Sequence, residues 1–141
     1  MNLFLDCEFN GFGGELISLA LVDEEGHYFY EVLDCPQPMA WVAENVMPYL
    51  GQKTITLFQF QRKLRLFLNW YSEIHIIADW AEDLSLFTRS LIVGAGQAIL
   101  TPPLTLELWQ GQILVASEIP HHALSDAKAL AQSYRILQDQ H

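Results

Sequence analysis

Three stretches near the start of the chain are rich in apolar residues and predict strands, and the last of them alternates as a strand with one buried face does. The stretches cover residues 3–9, 15–22 and 27–33, and Asp23-Glu24-Glu25-Gly26 lies between the last two as a hairpin turn signal. Because strands joined by tight turns pair in opposite directions, we predict a three-stranded antiparallel meander.

Beyond residue 40 the apolar positions recur at helical spacing, interrupted by short apolar runs at residues 74–78 and 104–108 that predict two more strands. The helical stretches are residues 40–49, the segment from Leu57 to Tyr71, a segment that opens at 79–83 and ends at Gly94-Ala95-Gly96, and a last segment from about Ala123. This order of elements predicts an α/β fold, with one mixed five-stranded sheet flanked by helices in a single domain over residues 1–141.

Aromatic residues on the predicted helices are expected to pack inside, because aromatic side chains dominate protein cores. In the first helix Trp41 should face inward together with Val42 and Val46. We assign Trp70 and Trp109 to packing as well.

Half of the residues are apolar, but no apolar run approaches the roughly 20 residues that a membrane helix needs. The first segment has no basic leader, and Cys7 and Cys35 have neither zinc-ligand spacing nor the density of a disulfide framework. We therefore expect a cytoplasmic protein with no membrane partner.

The chain carries 17 acidic and 7 basic residues, a net charge of −10. This negative charge argues against a protein that binds long nucleic acid through contacts with many phosphates. It leaves open an enzyme that holds a few nucleotides through bound cations.

Arg62, Lys63 and Arg65 lie with Asn69 on the polar side of the second predicted helix. A solvated helix face is the simpler interpretation of this basic cluster. The alternative is a face that contacts phosphates or a second subunit, the latter in a homodimer.

Asp6 and Glu8 stand two positions apart on the first predicted strand, so their side chains project from the same face. Two like charges among core residues are unfavourable unless a cation neutralises them, which favours a metal site. The alternative is an edge strand whose outer face is exposed to solvent.

Two further carboxylates open helices: Asp83 begins the third predicted helix and Asp126 lies in the first turn of the last one, five residues after His121. Taken singly, each carboxylate has an ordinary interpretation as a partner of the helix dipole. Taken together with Asp6, Glu8 and His121, their order along the chain favours a functional site over these ordinary interpretations.

The residues Asp6-Cys7-Glu8, Asp79-Trp80-Ala81-Glu82-Asp83 and His121-His122-Ala123-Leu124-Ser125-Asp126 resemble the three motifs of DEDDh 3′-5′ exonucleases, most closely the small RNase T-like 3′-exoribonucleases. The resemblance spans essentially the whole chain. Where this chain has Asp79, that family commonly has a neutral Asn, and His121 matches its catalytic histidine.

The resemblance implies a ribonuclease H-like fold and a two-metal phosphodiesterase. Asp6 would bridge two Mg²⁺ or Mn²⁺ ions, Glu8, Asp83 and Asp126 would complete their ligands, and His121 would take the proton from the attacking water. The substrate would be the 3′ end of single-stranded RNA, with nucleoside 5′-monophosphates as products. DNA remains an alternative substrate.

Single-stranded substrates also need stacking surfaces and phosphate contacts. Phe9, Phe12 and Trp80 are candidates for stacking, each with core packing as its alternative, and Arg62 and Arg65 are candidates for phosphate contacts. Two other functional classes remain open: an inactive ribonuclease H-like module that binds nucleic acid or protein, and a structural protein stabilised by Ca²⁺ or Mg²⁺.

Overall fold

The computed structural model describes residues 1–140, which form seven strands and four α-helices. The strands are β1 (Asn2–Phe9), β2 (Leu16–Asp23), β3 (Tyr28–Val32), β4 (Ile74–Ala78), β5 (Ile92–Gly94), β6 (Gln97–Ala98) and β7 (Leu104–Leu108). The helices are α1 (Ala40–Asn45), α2 (Leu57–Leu68), α3 (Ala81–Ser90) and α4 (Ala123–Asp139), and a 3-10 turn (Met47–Tyr49) follows α1.

Five strands form one mixed sheet in the order β3-β2-β1-β4-β7. The pairs β1–β2 and β2–β3 are antiparallel, whereas β1–β4 and β4–β7 are parallel. The predicted α/β fold, its five-stranded mixed sheet and its antiparallel first three strands are therefore confirmed.

Strand β1 lies in the middle of the sheet and contributes to a core on both faces. Leu3, Leu5 and Cys7 belong to the core under α2 and α3, where Phe60 and Phe87 are fully buried. On the opposite face, Phe4 packs with residues of α4. Because side chains alternate along a strand, Asp6 and Glu8 point to the face that α4 covers.

Three predicted helices are shorter than expected. Helix α2 ends at Leu68, three residues before the predicted end at Tyr71. Helix α1 ends at Asn45 and continues as the 3-10 turn that contains Pro48, because proline lacks the N–H that an α-helix would need there. Helix α3 ends at Ser90, and β5 and β6 then form a small hairpin with Gly96 at φ 66°. The glycines at 94 and 96 therefore belong to this hairpin and do not end the helix.

Two predicted core aromatics lie on the surface. Trp41 is 54% exposed and Trp70 is 84% exposed, so the packing assignments of both were wrong. Trp109, in contrast, packs edge-on against Tyr134, as predicted. Trp41 lies in the first turn of α1 and Trp70 lies two residues after the end of α2, so both stand at helix ends that neighbouring elements leave uncovered. No helix within residues 1–140 is both long and apolar enough to cross a membrane.

Candidate metal centre

Five carboxylates converge at the carboxyl ends of β1 and β4 in two groups that share Asp6. Ligand atoms of Asp6, Glu8 and Asp126 all lie within 4.8 Å of one another. The same holds for Asp6, Asp79 and Asp83. The four carboxylates predicted as metal ligands are thus brought together, and Asp6 is common to both groups.

The sheet and two helix starts produce this convergence. In the parallel pairing of β1 with β4, Phe4 lies opposite Ile77, so Asp6 and Asp79 come next to each other two residues further on. Asp83 lies in the first turn of α3, and its N–H donates to the Trp80 carbonyl. Asp126 lies in the first turn of α4.

An irregularity in β1 sets the end of the strand. Glu8 lies opposite Ser18 on β2, but Phe9 lies opposite Leu16, so the register shifts between Glu8 and Phe9. Such a bulge bends a strand and changes the direction of the side chains around it. Glu8 is therefore the last residue of β1 in regular register.

Burial and mutual repulsion raise the pKa values of the clustered carboxyls. Burial, followed by the charges of Asp83 and Glu8, raises the pKa of Asp6 well above its usual value. Burial, the charge of Asp126 and a hydrogen bond with Asp126 raise the pKa of Glu8 to about 8. Burial, followed by the charges of Asp79 and Glu8, raises the pKa of Asp83 to about 8. A cation would relieve this repulsion.

One oxygen of this cluster has no hydrogen-bond partner. Asp6 Oδ2 is buried and makes no hydrogen bond within the described residues, although buried polar atoms are normally paired. The other such atom, Ser18 Oγ, belongs to the residue opposite Glu8. An unpaired carboxylate oxygen in an all-oxygen donor set fits a hard divalent cation such as Mg²⁺ or Mn²⁺.

The two neighbouring histidines have different environments. His122 is the N-cap residue of α4: its Nδ1 accepts a hydrogen bond from the Ser125 N–H at 3.4 Å, and its ring packs on Tyr30. His121 is exposed at φ 61°, and its ring meets Trp41 edge-on with 4.9 Å between centroids. His122 therefore has a structural role, whereas the His121 ring is left accessible.

The charges of both histidines act on Asp126. Burial raises the pKa of Asp126, while the polar side chain of Ser117 and the charges of His121 and His122 partly counteract this rise. Because His122 is used as a cap, His121 is the histidine whose ring is left to take a proton near Asp126.

The remaining predicted site residues are dispersed. Phe12 is 98% exposed in the loop after β1, and Trp80 is 58% exposed immediately before α3. Phe9 is partly buried against the core, which agrees with its packing interpretation. Arg62 and Arg65 are exposed on α2 and belong to neither carboxylate group.

Two residues near the site are not among the predicted site residues. Asp79 can offer a ligand oxygen to the group that contains Asp83, and its position at the end of an apolar strand was the available signal. Trp41 contacts His121, and no pattern in the sequence indicated this contact.

No model of a known protein family matches this chain, and no curated protein matches it either. The arrangement of the five carboxylates and His121 is therefore the basis for a functional assignment.

Adding Mn²⁺ at millimolar concentration should raise the melting temperature, because an ion that binds only the folded protein stabilises it by mass action. Without metal, Asp6→Asn should melt no lower than wild type, since it removes one of the repelling charges. Differential scanning calorimetry with and without chelator measures both. The exposed Asp34→Asn is the matched control and should respond to Mn²⁺ as wild type does. A melting temperature indifferent to Mn²⁺ would contradict a preformed site.

The metal-free protein should lose stability as the pH rises from about 4.5 to about 8. The pKa of Glu8 is raised from 4.5 to about 8 in the folded state, so its stabilising contribution is complete below pH 4.5, falls progressively above it, and is fully lost once the pH has passed about 8. Metal competes with protons for the same oxygens, so stabilisation by Mn²⁺ should grow over this interval. Glu8→Gln should flatten the metal-free profile, and an equally steep profile in that variant would assign the effect to other groups.

Proposed function

We propose that this protein is a metal-dependent 3′-5′ exoribonuclease of the DEDDh type, with a ribonuclease H-like fold. The observation that carries the proposal is the position of Asp6, whose carboxylate belongs to two adjacent ligand groups. Two cation sites with one common carboxylate are what two-metal phosphodiester hydrolysis requires.

Glu8 and Asp126 would hold one divalent cation with Asp6, and Asp83 would hold the other with Asp6, with Asp79 able to contribute a further oxygen. When bound, the two cations would stabilise the attacking and the leaving oxygen of an in-line displacement. The donor set consists of carboxylates alone, which suits Mg²⁺ or Mn²⁺.

His121 would act as the general base that takes a proton from the attacking water and passes it to solvent. Its ring is exposed, its charge acts on Asp126, and it is not used as a cap, unlike the ring of His122. Trp41 meets the His121 ring edge-on and would restrict its orientation, so we regard Trp41 as a positioning residue.

The substrate end would be a single strand held mainly by bound cations and by stacking. Phe12 and Trp80 are exposed, and they flank the elements that carry Glu8 and Asp83. Exposed aromatic rings can stack on bases of any sequence. A net charge of −10 disfavours the alternative of extensive phosphate contacts, so a short strand end is the substrate we expect near the carboxylates.

With Mg²⁺ or Mn²⁺, the protein should shorten single-stranded RNA from its 3′ end. RNA labelled at the 3′ end should release labelled mononucleotide first, whereas 5′-labelled RNA should give a ladder of shortening products. Unchanged activity in excess chelator, or circular RNA cut as fast as linear RNA, would contradict the proposal. Faster degradation of matched DNA oligomers would change the substrate to DNA.

His121→Ala should lose most of the turnover, because a general base contributes roughly 10²- to 10⁴-fold to the rate. Stabilisation by Mn²⁺ should survive in this variant, since no ligand is lost. His122→Ala is the neighbouring control. It should lower the melting temperature, because it removes the N-cap residue of α4, and its effect on turnover should be mild. Equal losses of turnover at the same metal occupancy would leave the base unassigned.

Asp83→Asn should remove nearly all activity at saturating Mn²⁺, because it weakens a buried ligand from the first turn of α3. Asp79→Asn should keep most activity, since an amide oxygen can replace the half-buried carboxylate and Asn is the commoner residue in the family that the motifs resemble. Turnover of both variants on one RNA oligomer decides between them. If Asp79→Asn is the inactive variant, the second motif is assigned four residues too late.

A further inference from the structure

Strand β7 forms one edge of the five-stranded sheet, and within residues 1–140 it pairs only with β4. On that side the Pro103 carbonyl accepts a hydrogen bond from the Ile74 N–H at 3.0 Å, and the Trp109 N–H donates to the Ala78 carbonyl at 2.7 Å. Successive residues of a strand turn their backbone N–H and C=O groups to opposite sides. The odd-numbered residues of this stretch therefore face β4.

The even-numbered residues of β7 turn their backbone groups away from the sheet. They are Leu104, Leu106 and Leu108, and none of their N–H or C=O groups has a hydrogen-bond partner in the described part of the chain. A row of unpaired N–H and C=O groups on an edge strand is a template for pairing with another strand. The outer side of β7 therefore offers alternating backbone donors and acceptors to a partner that is itself extended.

The other edge of the sheet, β3, is covered by its own chain. Two carbonyls on its outer side belong to Tyr30 and Val32. The Tyr30 carbonyl accepts a hydrogen bond from the side-chain amide of Gln52 at 3.0 Å, and the Val32 carbonyl accepts one from the Ile55 N–H at 2.9 Å. Because the chain covers β3 in this way and leaves the outer side of β7 unpaired, β7 is the edge that is open to a partner.

The open edge is apolar and nearly free of charge. Residues 99–109 contain one charged residue, Glu107, whose carboxylate lies 2.8 Å from Nε2 of His75. Leu106 is 43% exposed and Leu108 is 41% exposed. Natural proteins commonly protect an open edge with outward-facing charges or prolines, and the even-numbered positions of β7 have neither. Two chains with a net charge of −10 can therefore approach each other along this edge without bringing unpaired carboxylates together.

The sequence of β7, Leu-Thr-Leu-Glu-Leu, is complementary to itself about its central residue. When two copies pair antiparallel with Leu106 opposite Leu106, Leu104 of each copy comes opposite Leu108 of the other. All the outward-facing N–H and C=O groups of both strands are then paired, because directly opposite residues of this kind exchange both hydrogen bonds. On the other face of the strands, Thr105 comes opposite Glu107 of the second copy, so a hydroxyl and not a like charge faces the carboxylate.

We propose that the open edge of β7 binds β7 of a second copy of the chain, antiparallel and centred on Leu106, so that the two five-stranded sheets join into one. A two-fold axis through Leu106 uses the same surface of both copies and closes the assembly as a dimer. No residue of β7 belongs to the two carboxylate groups that share Asp6, so the interface leaves the candidate metal centre free. The inference is therefore independent of the proposed function.

Sedimentation velocity of the full chain over a dilution series tests the interface. Wild type should sediment as a dimer that dissociates on dilution. Leu106→Lys should sediment as a monomer at concentrations at which wild type is dimeric, because it places two like charges directly opposite each other at the centre of the paired strands. Leu66→Lys is the matched control: it introduces the same charge at a leucine of α2 that is 67% exposed, and it should leave the dimer intact.

Disulfide formation tests the register. Under mild oxidation Leu106→Cys should link two copies, because the Cα atoms of a directly opposite pair are about 5.5 Å apart, within the range that a disulfide spans. Leu108→Cys is almost equally exposed, but its two thiols would be separated by four residues, about 13 Å along the strands, and should not link. The native Cys7 and Cys35 are buried, so wild type should remain unlinked. Non-reducing electrophoresis measures the linked fraction of each protein.

A wild-type protein that stays monomeric throughout the dilution series would overturn the inference, and β7 would then be open to a strand of another protein only. Equal linking of the Leu106→Cys and Leu108→Cys variants would overturn it as well, because the register would be wrong. A dimer that survives Leu106→Lys but is lost in Leu66→Lys would move the interface to α2. Circular dichroism of Leu106→Lys separates loss of the dimer from loss of the fold, and if this variant does not fold, the two cysteine variants decide.

Discussion

Repulsion among five neighbouring carboxylates is the constraint on which this structure depends. Asp6 lies at its centre: burial and the charges of Asp83 and Glu8 raise its pKa, and its Oδ2 has no hydrogen-bond partner within the described chain. Such an arrangement is unfavourable for folding, so the rest of the molecule must hold it in place. Its persistence is easiest to understand if cations neutralise it.

The position of β1 explains how the fold withstands this repulsion. The same strand supplies Leu3, Leu5 and Cys7 to the core under α2 and α3 and supplies Asp6 and Glu8 to the opposite face. The apolar core therefore holds in place the strand that carries Asp6 and Glu8. The Cys7 thiol, 3.9 Å from the Asp83 carbonyl that accepts its hydrogen bond, links this core to the start of α3.

Charge is distributed unevenly over the molecule. Carboxylates concentrate where β1 and β4 end, whereas Arg62 and Arg65 lie exposed on the outside of α2. A polyanionic ligand would be repelled by the carboxylates unless cations neutralise them. Phosphate groups could therefore approach these carboxylates only together with bound cations.

The sequence by itself determined the sheet and four of the five carboxylates that come together. Short apolar stretches and a hairpin turn signal predicted the antiparallel strands, and the period of two along a strand placed Asp6 and Glu8 on one face, because side-chain direction along a strand is a local property. Asp83 and Asp126 were recognisable because their motifs stand at helix starts in a fixed order. Only the tertiary structure decided that Asp79 joins Asp83, since this depends on the register between β1 and β4, which are distant in sequence. It also decided that His122 caps α4 while His121 meets Trp41, and that Trp41 and Trp70 lie outside, because the burial of a helix face depends on which other elements cover it.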